Sequence, residues 1–549
     1  MLATIQVVQA TVILVMFAFV VAVGLLAGRW RKADMHQLEE WALGGRHFGG
    51  FLTWFLQGGS VYTTYSFIAV PALVFGVGAL GFFALPYLII AYLVAFLVLP
   101  KLWDIYRRHN HVTAADFVRE RFDSPLLALA ITVTGILATV PYIALQVYGI
   151  EVSIAQIGLP VEVSLFIAFG VLAVVTYVSG LRSATLIAVV KDVFIWTTVI
   201  VAIIYIPIHL GGYVHIFAQL PRSKLVLQPT AFDDYVTLAV GSGLALFLYP
   251  HTLTGALSSS SRFVVQRNAI FLPIYTIMLG LLALLGYMAI AAHMPAEHTY
   301  GANAAVPELF DRLFPAPFAG FALASISIGA LVPAAMMAIS SANLFSRNIY
   351  LEYIRPDASP ERQTAVSKIA STFVKLDAVL FVVLVPTTYI INFQLAGGIW
   401  ILQTLPAVFL ALFTKRLHRG TLFIGWACGM LVGTGMLLAL GFKSSSINLN
   451  LFGWHASMYI AIPALVVNLA ITGIGMLIPI LRRSGSTGAA SARADADPHA
   501  GNNTALGICG RGSSLSGKYG PAVQIGAADF LSRTYLERDR FGKVVYRYS

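Results

Sequence analysis

Gly44 to Phe82 reads GGRHFGGFLTWFLQGGSVYTTYSFIAVPALVFGVGALGF. The stretch is apolar enough to lie in a bilayer. Yet Gly58-Gly59 and the polar run Ser60, Tyr62, Thr63, Thr64, Tyr65 and Ser66 fall where a continuous helix would cross mid-membrane. Backbone N–H and C=O groups are left unpaired at that depth only where they line a protein-enclosed or wet cavity. A helix broken around Gly58 to Tyr65 is therefore a binding-site expectation. The other reading is a Gly-kinked helix whose hydroxyls bond to their own i−4 carbonyls, as is common in membrane helices.

The surrounding chain narrows the choice. Of its 549 residues, 58% are hydrophobic and 11% charged, against about 25% charged in an ordinary soluble domain. That implies an all-α polytopic protein whose constant partner is the lipid bilayer. The formal charge of +11 does not point to nucleic acid, because the basic residues sit between apolar segments rather than on one face. Cys428 lies in an apolar segment and Cys509 in a polar tail, which supports neither a disulfide framework nor a thiolate metal site. The first apolar segment, Val7 to Ala27, has no basic stretch before it and Arg29, Arg31 and Lys32 after it. It reads as a retained span rather than a cleaved signal peptide.

At about 20 apolar residues per crossing, about thirteen spans are expected, near 7–28, 50–79, 84–103, 125–148, 161–180, 186–210, 236–257, 269–292, 317–345, 369–391, 395–414, 420–441 and 458–481. Lys and Arg stay on the cytoplasmic side. Arg46, Lys101, Arg107, Arg108, Arg119, Arg121, Arg182, Arg262, Arg267, Arg347, Arg355, Arg362, Lys415, Arg416 and Arg419 all fall in alternate loops. This predicts a multi-pass protein of the cell (inner or plasma) membrane, N-terminus outside and C-terminus cytoplasmic.

If the first span is an addition, two sets of five spans, about 50–210 and 236–414, have opposite topology. The second set then also needs a broken first helix, and VTLAVGSGLALFLYPHTLTGALSSSS supplies Gly241-Ser242-Gly243 and Pro250. Interrupted segments at corresponding positions of two halves point to a transport site. After Arg483 the chain turns to Gly, Ser, Ala, Asn and Asp. This gives a transmembrane domain over 1–483 and a cytoplasmic tail over 484–549 that is expected to be disordered.

Rival classes find less support. There is no HExxH, no metal-spaced His/Cys cluster and no GxSxG in a strand-turn-helix context, so an enzyme lacks its carriers and no catalytic residue or resident cofactor is expected. A channel would need a filter sequence or charged rings. The short tail holds no recognisable output module for a sensor.

On GGRHFGG, the Pro71 region, SGLRSAT followed by Asp192, YPH at 249–251 and SRNIY at 346–350, the chain resembles the sodium:solute symporter family over residues 1–483. GSVYTTYSFIAVPAL, KDVFIW and GALVPAAMMAISSANLFSRNIY are most similar to its monocarboxylate permease branch. The resemblance implies a five-plus-five inverted-repeat (LeuT-type) core with three additional helices. It also implies symport of small organic solutes, here the lactate, pyruvate and acetate class with alanine included, driven by a cation gradient.

In sodium-coupled members, the resemblance implies an ion between carbonyls of the first broken helix and hydroxyls of the ninth span. Counting from GGRHFGG, the carbonyls are those of Gly59 and Tyr62, and the acidic residue some members carry becomes Val61. Counting from SRNIY, the hydroxyl positions are Val332 and Pro333 and the small residue before them is Gly329. Sodium, as a hard cation, needs oxygen ligands, so Val and Pro favour proton over sodium coupling. Ser340-Ser341 would serve as the hydroxyl pair only if the helix end moved by two turns.

Lys191 precedes Asp192 where the family has an uncharged residue. It reads either as a proton-coupling group tuned by Asp192 or as a side chain that snorkels to the headgroups. Lys375 either bonds backbone carbonyls or meets the substrate carboxylate, and Glu151 reads as a solvated rim residue. Around a small carboxylate the expected side chains are Gln57, Thr63, Thr64, Tyr65, Gln146 and Tyr249. His251, Trp54 and Phe67 are expected to pack.

Overall fold

The computed structural model describes residues 6–29, 38–295, 300–385, 389–451, 454–494, 534–538 and 544–548. Helix α1 (Val7–Arg29) and the short α2 (Leu38–Leu43) lead to α3 (Gly50–Gly59), which stops at Ser60. A π-helical turn at Tyr65–Ala69 restarts the helix, and α4 (Val70–Val77) completes it. Next come α5 (Ala84–Arg108), α6 (Ala114–Phe122), α7 (Pro125–Ala155) and α8 (Val161–His209). Short helices α9 (Tyr213–Gln219) and α10 (Arg222–Leu225) connect to the second broken helix, α11 (Phe232–Ala245) and α12 (Pro250–Leu257). Helices α13 (Arg262–Phe271), α14 (Pro273–Ala291), α15 (Ala305–Leu313) and α16 (Ala316–Phe345) follow, the last running into a π-helix at Ser346–Ile354. Then come α17 (Pro360–Leu384), α18 (Ile391–Ile401), α19 (Leu405–Val408) and α20 (Arg419–Ala439). An antiparallel hairpin, β1 (Ser446–Leu451) and β2 (Trp454–Tyr459), precedes α21 (Ala461–Ala494).

The chain divides into two units, Met1–Arg483 and Ser484–Ser549. In the second, the described residues are the end of α21 and an antiparallel pair, β3 (Thr534–Arg538) and β4 (Val544–Tyr548). The rest of that tail, with Cys509, lies outside the described residues, as do Arg31 and Lys32.

Among the described residues, nine helical stretches are long and apolar enough to cross a membrane, fewer than the thirteen expected. The difference arises at four places among the described residues. Helix α3 is only ten residues long, while Tyr65–Arg108 runs on as one apolar stretch through a 3-10 turn at Gly78–Phe83. The expected spans 161–180 and 186–210 are one continuous helix, α8, of 49 residues. At 1.5 Å per residue that is about 74 Å, and among the described residues Ala184–His209 is a span within it. Helix α17 carries Lys375 and Asp377, and the described apolar part of α21 is Ala461–Leu477.

Helix α16 is the centre of the first unit. Residues 322–344 are all buried, against α7, α8, α1 and α17. Small residues let the backbones approach, and Ser325 and Ser327 donate back to the carbonyls of Phe321 and Leu323 at 2.7 and 3.1 Å. No polar cost therefore attaches to those hydroxyls.

Of the two breakers expected in the second half, Pro250 marks the break and Gly241-Ser242-Gly243 does not. Those residues are regular helix, and the chain leaves it at a 3-10 turn, Leu246–Leu248, with Tyr249 extended (φ −60, ψ 136) before Pro250. Proline disfavours helical geometry in the residue before it. The two broken helices are tied together where Phe48 N–H donates to Ser258 O at 3.2 Å and Ser260 N–H donates to Phe48 O at 2.9 Å.

The basic loops meet one another. Arg347 Nε and Asn348 Nδ2 each donate to Asp116 at 2.8 Å, Arg121 reaches Thr414 O, Arg419 reaches Asp123 O, and Arg119 pairs with Glu352. Asp116 also accepts from the N–H groups of Val112 and Thr113 at 2.9 and 3.0 Å and completes a capping box on α6. Asp116→Ala leaves these donors without an acceptor and is expected to cost about 3 kcal/mol. Asp104→Ala removes only the Arg262 ion pair and is expected to cost under about 1 kcal/mol. Thermal unfolding of both variants in detergent checks this, and equal midpoints would reduce Asp116 to an ordinary surface charge.

Candidate functional site

The first break turns at Ser60, where the N–H of Val61 bonds to Gly58 O at 2.9 Å and the hydroxyl of Ser60 to Gln57 O at 2.6 Å. The helix resumes with Ser66 N–H on Thr63 O at 3.0 Å, and the Ser66 hydroxyl reaches back to Val61 O at 2.5 Å. Between these turns, the carbonyls of Gly59 and Tyr62 point away from the helix. Both accept from the ammonium of Lys191, at 2.7 and 2.9 Å.

Lys191 comes from the middle of α8. Its side chain is fully buried, as is that of Asp192, whose Oδ1 lies 3.1 Å from Nζ. The second oxygen of Asp192 accepts from the hydroxyl of Tyr275 at 2.7 Å. Lys191 thus does not snorkel; it lies inside the protein, where one positive charge faces two carbonyl dipoles and one carboxylate. In an environment that screens poorly, such a charge persists only with this kind of pairing.

The break and this cluster fit because Gly58 lacks a side chain. A Cβ there would sit 2.1 Å from the Tyr275 ring. That ring is also 4.5 Å from Tyr62 and 4.8 Å from Trp54, centroid to centroid. Gly329 of α16 closes the other side: a Cβ on it would lie 4.0 Å from Tyr62 O. Val332 and Pro333 follow on α16, both buried and without a hydroxyl. Ser340 is about 12 Å further along the helix, bonds to Met337 O, and lines a separate small cavity with Thr113, Thr254 and Asn343.

The expected solute-facing side chains sit close by, with different degrees of satisfaction. Gln146 Oε1 accepts from Thr64 N–H at 3.1 Å, and Thr63 Oγ1 accepts from Tyr65 N–H at 3.0 Å. Tyr249 donates to Gln394 O at 2.9 Å. By contrast Gln57 Nε2, Thr64 Oγ1, Tyr65 OH and both ring nitrogens of His251 are buried without a hydrogen-bond partner. Buried polar atoms are usually paired, so these unpaired ones mark where a polar ligand would be received. His251 lies edge-on to Tyr142 and tilted against Tyr249, centroids 5.5 and 5.6 Å away, with no carbonyl bonded to its ring. Gly149 on α7 admits Thr64, whose Oγ1 would be 2.1 Å from a Cβ at that position.

One residue differs from expectation, one keeps only one of its two readings and one was not foreseen. Glu151 is 3% exposed and accepts from Tyr300 OH at 3.1 Å, so it is no rim residue. Lys375 is fully buried, and its ammonium bonds neither a carbonyl nor a carboxylate among the described residues. Tyr275 was missed, because a lone tyrosine at the start of an apolar span carries no motif.

The profile of the sodium:solute symporter family matches residues 41–433. A protein of Rhizobium johnstonii described as a monocarboxylate transport permease is 46% identical over 463 residues, 83% of this chain and 94% of its own length. The sodium/pantothenate symporter of Escherichia coli is 24% identical over 506 residues, 84% of this chain and 95% of its own. A Na+-coupled sialic acid symporter, solved in a substrate-bound outward-open state, has a TM-score of 0.68 at 18% identity and covers 86% of this chain and 98% of that one. That structural likeness shows a shared fold. The chain is a multi-pass membrane protein that belongs to the sodium:solute symporter family.

Proposed function

We propose that this symporter takes up small monocarboxylates of the lactate, pyruvate and acetate class together with protons, through Lys191. The observation that carries the reading is the Lys191 ammonium on the carbonyls of Gly59 and Tyr62. A cation at that place already satisfies both carbonyls, and Val332 and Pro333 offer no hydroxyl to a sodium ion beside it. A proton bound by the Lys191 amine from one side would keep the charge that holds the break to α8. Release of that proton to the other side would leave Asp192 a buried carboxylate without its cation, a state that favours rearrangement. Asp192 and Tyr275 position the amine; neither is asked to carry the proton across.

The solute reading draws on the relative's description as a monocarboxylate permease and on the unpaired donors at Gln57, Thr64, Tyr65 and His251. A carboxylate has acceptor oxygens only, which matches that set. The basic loops, which contact one another on one face, favour the orientation with that face in the cytoplasm of a cell (inner or plasma) membrane.

Proteoliposomes loaded at neutral pH are expected to accumulate labelled lactate when the outside is acidified, with no increase on adding sodium. Strict sodium dependence without a response to the pH gradient would overturn proton coupling. The double substitution Lys191→Met/Asp192→Asn removes both charges together, so no buried charge is stranded, and the carbonyls of Gly59 and Tyr62 lose their donor. It is expected to abolish pH-driven accumulation while lactate counterflow continues; retained accumulation would remove Lys191 from the coupling step. Thr64→Val, which keeps the shape, is expected to raise the KM for lactate about tenfold or more, the worth of one hydrogen bond to a charged group. An unchanged KM would place the carboxylate elsewhere.

A further inference from the structure

Helix α5 ends at Arg108, and the chain turns through His109-Asn110-His111 toward α6. Asn110 is in the left-handed region, φ 54, so residues 109 and 111 come round the same side of the turn. Their rings are 29° from parallel with centroids 5.5 Å apart. Both aim at a single carboxylate on α6. His109 Nδ1 is 2.5 Å from one oxygen of Glu120, and His111 Nε2 is 2.5 Å from the other. The three ligand atoms all lie within 4.8 Å of one another.

Two imidazoles and one carboxylate are the donor set of a zinc site that keeps its fourth position open. We infer that His109, His111 and Glu120 form a binding site for one zinc-class divalent ion, with water as fourth ligand. The frame is rigid on one side and adjustable on the other. His111 is buried, and its carbonyl accepts from Arg46 Nη2 at 2.6 Å. Glu120 rides on α6, whose start is fixed by the Thr113–Asp116 capping box. The side chains of His109 and Glu120 are about half exposed, at 47% and 52%. Bonds of about 2.1 Å in a tetrahedron put ligand atoms about 3.4 Å apart, which small rotations of these two exposed side chains supply. The cleft around them holds about 530 Å³, ample for the ion and its water. Its arginines do not oppose a cation, since Arg119 pairs with Glu352 and Arg347 with Asp116.

The site bridges the end of α5 to α6, and α6 is bound through Asp116 and Thr113 to Arg347 and Asn348 of the π-helix after α16. A bound ion therefore braces this face of the transporter. The inference concerns ion binding alone and stands or falls independently of the solute and of the coupling ion.

The full chain, purified in detergent and stripped with chelator, is titrated with zinc chloride by calorimetry and with cobalt(II) chloride by visible absorption. One zinc per chain is expected, together with the strong visible bands of a four-coordinate cobalt site. His109→Ala and Glu120→Gln, both at exposed positions that do not threaten folding, are each expected to weaken zinc binding about tenfold or more. His215→Ala, an exposed histidine elsewhere, is expected to change nothing. Zinc also raises the unfolding temperature of the parent chain but not of His109→Ala. Absence of zinc binding, or equal affinity in the parent chain and both ligand variants, would overturn the site and leave a plain ion pair.

Discussion

The structure depends on how a broken backbone is made tolerable inside a membrane protein. The turn at Ser60 to Thr64 frees the carbonyls of Gly59 and Tyr62, which need a hydrogen-bond partner at that depth. One ammonium, from Lys191, satisfies both. That solution imposes others. The charge requires Asp192, the second oxygen of Asp192 requires the Tyr275 hydroxyl, and the Tyr275 ring occupies the space a side chain at Gly58 would fill. Removal of any one of these leaves a buried polar group unpaired, which costs more than the pair itself contributes.

Around that cluster the polar atoms divide into two kinds. Those of Gln146, Thr63, Ser66 and Tyr249 are consumed in holding the two breaks in shape. Those of Gln57, Thr64, Tyr65 and His251 are left over. Shape and binding are thus assigned to different atoms within a few residues of one another, and Thr64 takes part in both: its N–H is bonded while its hydroxyl is free.

The same device recurs at the other end of the first broken helix. Lys224, from α10, places its ammonium on the carbonyls of Phe75 and Gly76 at the end of α4, while its own carbonyl accepts from Tyr287 OH at 2.7 Å. A cation at a helix C-terminus gains from the aligned carbonyl dipoles. Both ends of the restarted first helix are therefore held by a lysine from another element. The basic-loop face is held differently, by Asp116 gathering Arg347, Asn348 and the start of α6. A side-chain network between separate helices can be exchanged as a unit, whereas the Lys191 contact changes only if its proton or its position does.

The sequence by itself determined the membrane class, the two interrupted helices and the absence of hydroxyls at Val332 and Pro333. These follow from composition and from what Gly, Pro and small polar residues do to their own backbone. Counting along the chain could also point to the carbonyls of Gly59 and Tyr62. The cation that meets them was not legible, because Lys191 is 132 positions from Gly59, and each step along α8 turns a side chain by about 100°. Whether that lysine faces lipid headgroups or the core is decided by how α8 packs on α16 and α3. Tertiary structure alone also buried Glu151 under Tyr300 and brought Tyr275 to Asp192. Local chemistry marks where a helix must break; only packing across the bundle decides which charge fills the gap.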